Sequence, residues 1–341
     1  MPIRIGVIGA GRWGPNLARN FESLQRSQLR CVVDSDPERC AMVRKQYPDI
    51  DVYSDAEQAI TNDEVDAIVV ATPTVTHYDI CAAALEAGKH VLVEKPLTRT
   101  SEQGQKLVEI AQKNERVLMV GHVFLFNGAI RRMKQYVAEG ELGRTLYIAA
   151  TRTNFGPIRM DVNAAWDLAT HDISIANYLL DAMPTSVSAT GGSWINAPVE
   201  DAVFVNLRYP GDVMVHLHAS WLHPRKARGI EIVGDRRMLT FDDLNTLEPI
   251  RIYDNQVKDD TVSPPFIDTI SEFRAAIRQG EVWVPNVTLG EPLKTECDAF
   301  LDAVTANDRG CISNGEFGVD VVRVLEAIDR SMAAGGSEEA L

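Results

Sequence analysis

The 341-residue chain predicts an α/β fold in two parts, a doubly wound parallel sheet over residues 1–122 and then an α+β domain over 123–335 with a large, mostly antiparallel open sheet. Three observations predict it. Up to residue 122, short near-continuous runs of Val, Ile and Leu alternate with helix-like segments, the pattern of strands buried on both faces. Beyond about residue 125 the segments lengthen and alternate apolar with polar residues at period two, which suits a sheet with one solvated face. The length itself exceeds what a single hydrophobic core usually fills.

The first part reads as strands "IRIGVIGA" (3–10), "LRCVVD" (29–34), "DAIVVAT" (66–72), "HVLVEK" (90–95) and "VLMVGH" (117–122). Helical segments such as "GPNLARNFESL", "HYDICAAALEAG" and "SEQGQKLVEIAQKN" lie between them, so each crossover packs on the sheet. After the helix "NGAIRRMKQYVAEG" come "TLYIAATRTN", "TSVSATGGSW", "DAVFVNLRYP", "GDVMVHLHASWL", "RGIEIVGDRRMLTFDDL" and "PIRIYD". In one of these Val213, Val215 and Leu217 point one way and Met214, His216 and His218 the other. "YPGD" (209–212) joins two strands as a hairpin. Two closing helices follow, the last expected to pack back on the first domain, and "AAGGSEEAL" reads as a frayed tail.

Composition narrows the function. At 45% hydrophobic and 24% charged residues the chain is ordered, which excludes disordered and fibrous classes. A net charge of -14 argues against a nucleic-acid partner. No apolar run approaches the roughly 20 residues of a membrane span and "MPIRIGVIGA" lacks a signal peptide's basic region, so no membrane partner and a cytoplasmic location are expected. The cysteines (Cys31, Cys40, Cys81, Cys297, Cys311) form no CxxC pair and are read as reduced thiols, with no metal centre.

Gly9, Gly11 and Gly14 form G-x-G-x-x-G between the first strand and the first helix, with Arg12 and Trp13 inside the loop. The spacing serves a tight turn, close approach of backbone to a pyrophosphate, and helix–strand packing. Asp34 ends the second strand twenty residues after Gly14, placed to accept hydrogen bonds from both ribose hydroxyls. A carboxylate there repels a 2'-phosphate, so NAD is favoured over NADP; Ser35 and Arg39 in "DSDPER" flank the same ribose, and Arg39 softens the preference. This is the Rossmann arrangement. Thr72, Pro73 and His77 in "ATPTVTHYDI" and His122 after the fifth strand occupy the same carboxyl edge of the sheet, where such folds bind ligands.

"HVLVEKPL" (90–97) ends an apolar strand on Glu94 and Lys95, fixed by Pro96, at that edge. A lysine there is either an ion-pair partner for the loop or an acid/base tuned by desolvation and nearby cations. In "AAWDLATHDISIANYLL" (164–180) Asp167 reads as the N-cap of an amphipathic helix and His171 projects from the same face. Singly, these are a cap and a core histidine. With Lys95 they supply carboxylate, imidazole and amine for alcohol oxidation, in which a base takes the hydroxyl proton as hydride leaves the same carbon.

"GVIGAGRWGPN", "ATPTVTH", "AGKHVLVEKPL" and "DLATHDI", in this order and spacing, resemble the glucose-fructose oxidoreductase / inositol dehydrogenase / MocA family, over essentially the whole chain. The resemblance implies an N-terminal Rossmann domain, a C-terminal sheet used for oligomerisation, and NAD(P)-dependent chemistry on sugars or cyclitols. Its EKP motif maps to Glu94, Lys95 and Pro96 and allows a cis Lys95–Pro96 bond, and its DxxxH motif maps to Asp167 and His171. "GRWGPNLARNF", "GHVFLFN" and "SWLHPRKAR" look most similar to the branch acting on nucleotide-linked sugars. That branch implies oxidation of a C3 hydroxyl, UDP-N-acetylglucosamine being the best single substrate, with a 3-keto product suited to transamination in amino-sugar or lipopolysaccharide biosynthesis. A diphosphate calls for local cations. Lys95, Arg152, Asn154, Arg159, Asn163, Trp166 and His171 are therefore substrate candidates, His122 and Asn127 after the fifth strand are substrate or nicotinamide candidates, and Trp221, Lys226 and Arg228 offer uracil stacking, phosphate pairing or a subunit contact. A 3-ketosugar reductase, a dehydrogenase of free sugars or inositols, and a catalytically inactive dinucleotide-sensing regulator are the alternatives. The one-faced second sheet is expected to be covered by another subunit, in a homodimer or homotetramer.

Overall fold

Six parallel strands, most of them too apolar to face water, build the first sheet. They are β1 (Ile3–Ile8), β2 (Ser27–Val33), β3 (Asp51–Tyr53), β4 (Ala67–Val70), β5 (His90–Glu94) and β6 (Leu118–Gly121), in the order β3-β2-β1-β4-β5-β6. The order reverses at β1/β4, which places the ligand crevice of such a sheet beyond the ends of those strands. Ile5, Val7, Ile68, Val70, Val91 and Val93 have no exposed surface. The crossover helices are α1 (Gly14–Ser23), α2 (Pro37–Gln46), α3 (Ala56–Ile60), α4 (His77–Glu86) and α5 (Ser101–Lys113). Each starts where local chemistry allows it: Asp36 accepts the Glu38 N–H at 2.9 Å, and Thr100 the Gln103 N–H at 3.2 Å. β3 lies outside the five strands legible in the sequence, because three residues with one aliphatic side chain carry no periodic signal.

The computed structural model describes residues 1–195, 197–254, 256–257, 277–278 and 280–341, and divides into two units. The second unit begins with α6 (Gly128–Ala138), β7 (Thr145–Phe155) and α7 (Thr170–Leu180). There follow β8 (Ser186–Gly192), β9 (Ala202–Tyr209), β10 (Val213–Ser220), β11 (Leu222–Gly234), β12 (Met238–Asp242) and β13 (Ile250–Tyr253). β14 (Gln256–Val257) and β15 (Ile277–Arg278) pair only with each other, and β16 (Val282–Trp283) precedes α8 (Pro292–Ala306), α9 (Gly315–Ala333) and β17 (Glu339–Ala340).

The nine-stranded sheet runs β16-β13-β12-β11-β7-β10-β9-β8-β17, antiparallel except where β10 lies parallel to β7. Its two faces separate as the period-two pattern requires. Val203, Val205 and Leu207 on β9 and Val215 and Leu217 on β10 are buried, while Phe204, Met214 and Tyr147 are exposed. The turn after Tyr209 has Gly211 and Asp212 at positive φ, the twist a tight hairpin demands.

The first unit is Met1–Asn127 with Gly290–Glu326, and the second Gly128–Leu289 with Ala327–Leu341. Residues 290–326 thus cluster with the first sheet. The expected frayed tail is corrected: Glu339 and Ala340 pair with Val187 and Ser186 on β8, and the Leu341 N–H donates to the Thr185 carbonyl at 3.1 Å. Among the described residues no helix is long and apolar enough to cross a membrane.

Candidate active site

The glycine loop is shaped by backbone rather than by side chains. Gly9 has φ of +101°, and a Cβ there would lie 2.7 Å from the Ala71 carbonyl oxygen; one on Gly14 would lie 1.7 Å from the Gly9 carbonyl oxygen. A Cβ on Gly11 would meet only the Arg39 guanidinium, in ordinary contact at 3.6 Å. No side chain caps α1, which leaves its positive end for an anion. Arg12 and Trp13 are exposed beside it. Asp34 is buried at the end of β2, with Oδ2 accepting the Ala10 N–H at 2.7 Å and Oδ1 the Asp36 N–H at 2.9 Å. Oδ1 keeps a second lone pair for a ribose hydroxyl, while that of Oδ2 faces Arg39. Arg39 reaches Asp34 at 3.5 Å, and Ser35 is exposed next to it. A cradle closed to a Cβ at Gly9 and Gly14, an uncapped helix start and an oriented carboxylate fit a nicotinamide dinucleotide.

The ends of β4, β5 and β6 carry the other cofactor candidates. Pro73 is exposed, and the Thr72 hydroxyl accepts from the Thr76 hydroxyl at 2.7 Å. His77 is corrected from a ligand contact to an internal clamp. Its Nε2 lies 2.9 Å from the Thr72 carbonyl and its Nδ1 3.0 Å from that of Pro96, so the ring ties the β4 loop to the β5 loop. Burial lowers its proton affinity against the pull of those carbonyls. The Lys95–Pro96 bond is cis. Burial pushes the Glu94 carboxyl up to about 7, against the opposing pull of the Lys95 ammonium and backbone N–H. His122 is 1% exposed, packs edge-on to Phe317 at 5.6 Å, and has no hydrogen-bond partner on either ring nitrogen among the described residues. Burial, then the Lys95 charge, brings its pKa to about 3, so the ring is neutral.

In the second unit the segment before α7 is not the expected cap. Ala165–Ala169 forms a π-helical turn, and Asp167 lies inside it. The capping group is Asn163, whose Oδ1 accepts the Trp166 N–H at 3.2 Å. The Asp167 carboxylate is instead gripped from two sides, by Arg159 Nη1 and by Trp221 Nε1, each at 3.1 Å. His171 follows in the first turn of α7, half-buried. Asp329 steadies the turn by accepting from Trp166 Nε1 at 2.7 Å and Asn163 Nδ2 at 2.9 Å. π-Turns often occur at functional sites.

The substrate candidates of this unit divide. Arg159 is partly exposed and shared between Asp161 and Asp167. Asn154 donates to the Gly156 carbonyl, while Asn163 and Trp166 are engaged with Asp329. Arg152 is corrected: its side chain is 5% exposed and forks onto the equally buried Asp172 at 2.9 and 2.7 Å, which removes it from any ligand. Trp221 is likewise no uracil platform, being 1% exposed with its indole N–H on Asp167. Arg228 pairs with Asp243, and His218 stacks on Phe204 at 4.6 Å. The role of Trp221 and the pairing of Asp172 with Arg152 escape sequence reading, since both join positions far apart along the chain.

Residues 3–122 match the model of an oxidoreductase family with an NAD-binding Rossmann fold, and residues 130–240 the GFO/IDH/MocA C-terminal domain. The chain is 32% identical to the UDP-N-acetylglucosamine 3-dehydrogenase of Acidithiobacillus ferrooxidans over 249 residues, 71% of this chain and 75% of that one. The solved structure of the enzyme of that name from the same organism superposes with a TM-score of 0.81 at 27% identity, covering 98% and 99% of the two chains. Over 195 residues the chain is also 32% identical to the scyllo-inositol 2-dehydrogenase (NAD(+)) of Bacillus subtilis, 55% of this chain and 57% of that one. With both halves matched in order, and the glycine cradle, Asp34 and the EKP and DxxxH residues in place, the chain belongs to the GFO/IDH/MocA family of NAD(P)-dependent oxidoreductases.

Proposed function

We propose that the protein oxidises the C3 hydroxyl of a nucleotide sugar with NAD, UDP-N-acetylglucosamine being the preferred substrate. The reading is carried by the likeness, over most of both chains, to a UDP-N-acetylglucosamine 3-dehydrogenase. Bound NAD supplies the hydride acceptor. Lys95 and His171 exchange the hydroxyl proton, and Asp167, fixed by Arg159 and Trp221, orients the reacting groups. Among the arginine and asparagine candidates of the second unit, the partly exposed Arg159 is the one we assign to substrate. Exposed Tyr147 beside Met214, and exposed Phe204 further along the neighbouring strand, support burial of the sheet face against a second copy.

NADH formation with UDP-N-acetylglucosamine, free N-acetylglucosamine and scyllo-inositol, followed by identification of the oxidised carbon, tests the substrate. Turnover of the nucleotide sugar with a new carbonyl at C3 is expected. Turnover of the inositol and not of the nucleotide sugar would establish the second reading, which the inositol dehydrogenase relative favours.

The preference for NAD is assigned to Asp34. Asp34→Asn keeps the side chain's size and removes the charge that faces the ribose. KM for NAD is expected to rise about tenfold, the weight of a charge-assisted hydrogen bond, while KM for NADP falls. Unchanged values for both would take Asp34 out of cofactor selection.

A further inference from the structure

The carboxyl edge of the first sheet holds a second acidic group that proton transfer by Lys95 does not use. Glu296, on α8, is 1% exposed, and its Oε1 has no hydrogen-bond partner among the described residues. Its place is set by a glycine. A Cβ built on Gly121 would lie 3.3 Å from Glu296 Oε1 and 3.4 Å from the Cα of Glu94, the residue paired with Gly121 across the strands. The missing side chain is the space in which the buried carboxyl sits beside Glu94.

The titratable and charged groups on the elements packed there are Glu94 and Lys95 at the end of β5, His122 after β6, Glu291, Lys294, Cys297, Asp298 and Asp302 on α8 and its cap, and Arg19 and Glu22 on α1; Lys294, Asp302 and Glu22 are exposed, and Asp298 pairs with Arg26. The segment Val123–Phe126 brings none. Arg19 is held by Glu291, His122 is neutral, and burial keeps Cys297 a thiol. Ionising a carboxyl so enclosed without a cation costs several kcal/mol. Burial, then the charge of Glu94, raises Glu296 well above the ordinary carboxylate range. Glu94 differs, because it is less enclosed and has the Lys95 ammonium and N–H in its favour. Two neighbouring carboxyls pushed apart in this way take different protonation states.

We propose that Glu296 is a positioning residue for the Glu94–Lys95 end of β5, a buried carboxyl that keeps its proton and, as a neutral hydrogen-bonding group, holds Glu94 ionised as the counter-charge of Lys95. The proposal rests on the reading of Lys95 as a proton carrier. Its first half is tested without substrate, by infrared difference spectroscopy of the intact protein at about pH 9, where ordinary glutamates with pKa about 4.3 are ionised. Glu94, at about 7, is ionised there too. A carboxylic-acid carbonyl band in the wild type that is absent from Glu296→Gln is expected; no band, or the same band in the variant, overturns the pair.

The second half is read from the pH dependence of kcat with UDP-N-acetylglucosamine and NAD. Glu296→Gln keeps a neutral donor and leaves the acid limb in place. Glu296→Leu removes the donor, so the carboxylate of Glu94 is less stabilised and the limb moves up by about one pH unit. A loss of kcat in both variants with no movement of the limb means packing alone and overturns the positioning role. Failure of the wild type to oxidise the nucleotide sugar refutes the substrate reading, while the infrared result still decides whether Glu296 holds a proton.

Discussion

Lys95→Met is expected to bind NAD as the wild type does and to lose kcat by at least about 100-fold, the usual range for a missing acid/base group. The separation follows from where the parts lie. The cradle of Gly9 and Gly14 and the carboxylate of Asp34 stand at the ends of β1 and β2, whereas Lys95 follows β5. Methionine keeps an unbranched apolar stem of similar reach, so the β5 loop, clamped by His77 through the Pro96 carbonyl, keeps its course. Calorimetric titration with NAD and steady-state turnover of UDP-N-acetylglucosamine measure the two quantities. Near-normal turnover removes Lys95 from the mechanism, and loss of NAD affinity along with turnover recasts it as a cofactor-binding residue.

Arg152→Met is expected to destabilise the second unit by about 3–5 kcal/mol, through the charge it leaves behind rather than the contact it removes. Asp172 has 3% of its side chain exposed and takes both arms of the guanidinium. Without them its carboxylate is enclosed and uncompensated. Replacing both partners, in Arg152→Met/Asp172→Leu, restores an apolar contact and is expected to recover most of the loss. Urea unfolding of the two variants and the wild type decides the matter. A single variant within 1 kcal/mol of wild type would show that the pair is dispensable. Asp172 adjoins His171, so the same pair anchors the start of α7 to β7 and fixes the backbone that carries the imidazole.

What was legible in the sequence was what local periodicity and turn chemistry encode. Alternating apolar runs mark β1, β2, β4, β5 and β6, the glycine spacing places the cradle, and the hairpin after Tyr209 announces itself in "YPGD". What was not legible depends on partners distant along the chain. Trp221 meets Asp167 across 54 positions and Glu296 reaches Gly121 across a wider gap, and nothing in either neighbourhood signals its partner. Asp167 shows a subtler failure. A cap residue and a π-turn residue share composition, and only the backbone's extra residue per turn separates them. The pairing of Glu339 with β8 escaped because two residues after a glycine-rich stretch carry no strand signal of their own.

The wider coil at Ala165–Ala169 makes the number of residues there matter as much as their identity. Excising one alanine would let the segment wind as a regular α-helix and gain ordinary i to i−4 bonds. It would also swing the aspartate by about 100° around the axis, away from the indole and guanidinium that grip it. A shorter, smoother helix here is a more comfortable backbone with a misdirected carboxylate, so comfort and chemistry pull the same five residues in opposite directions.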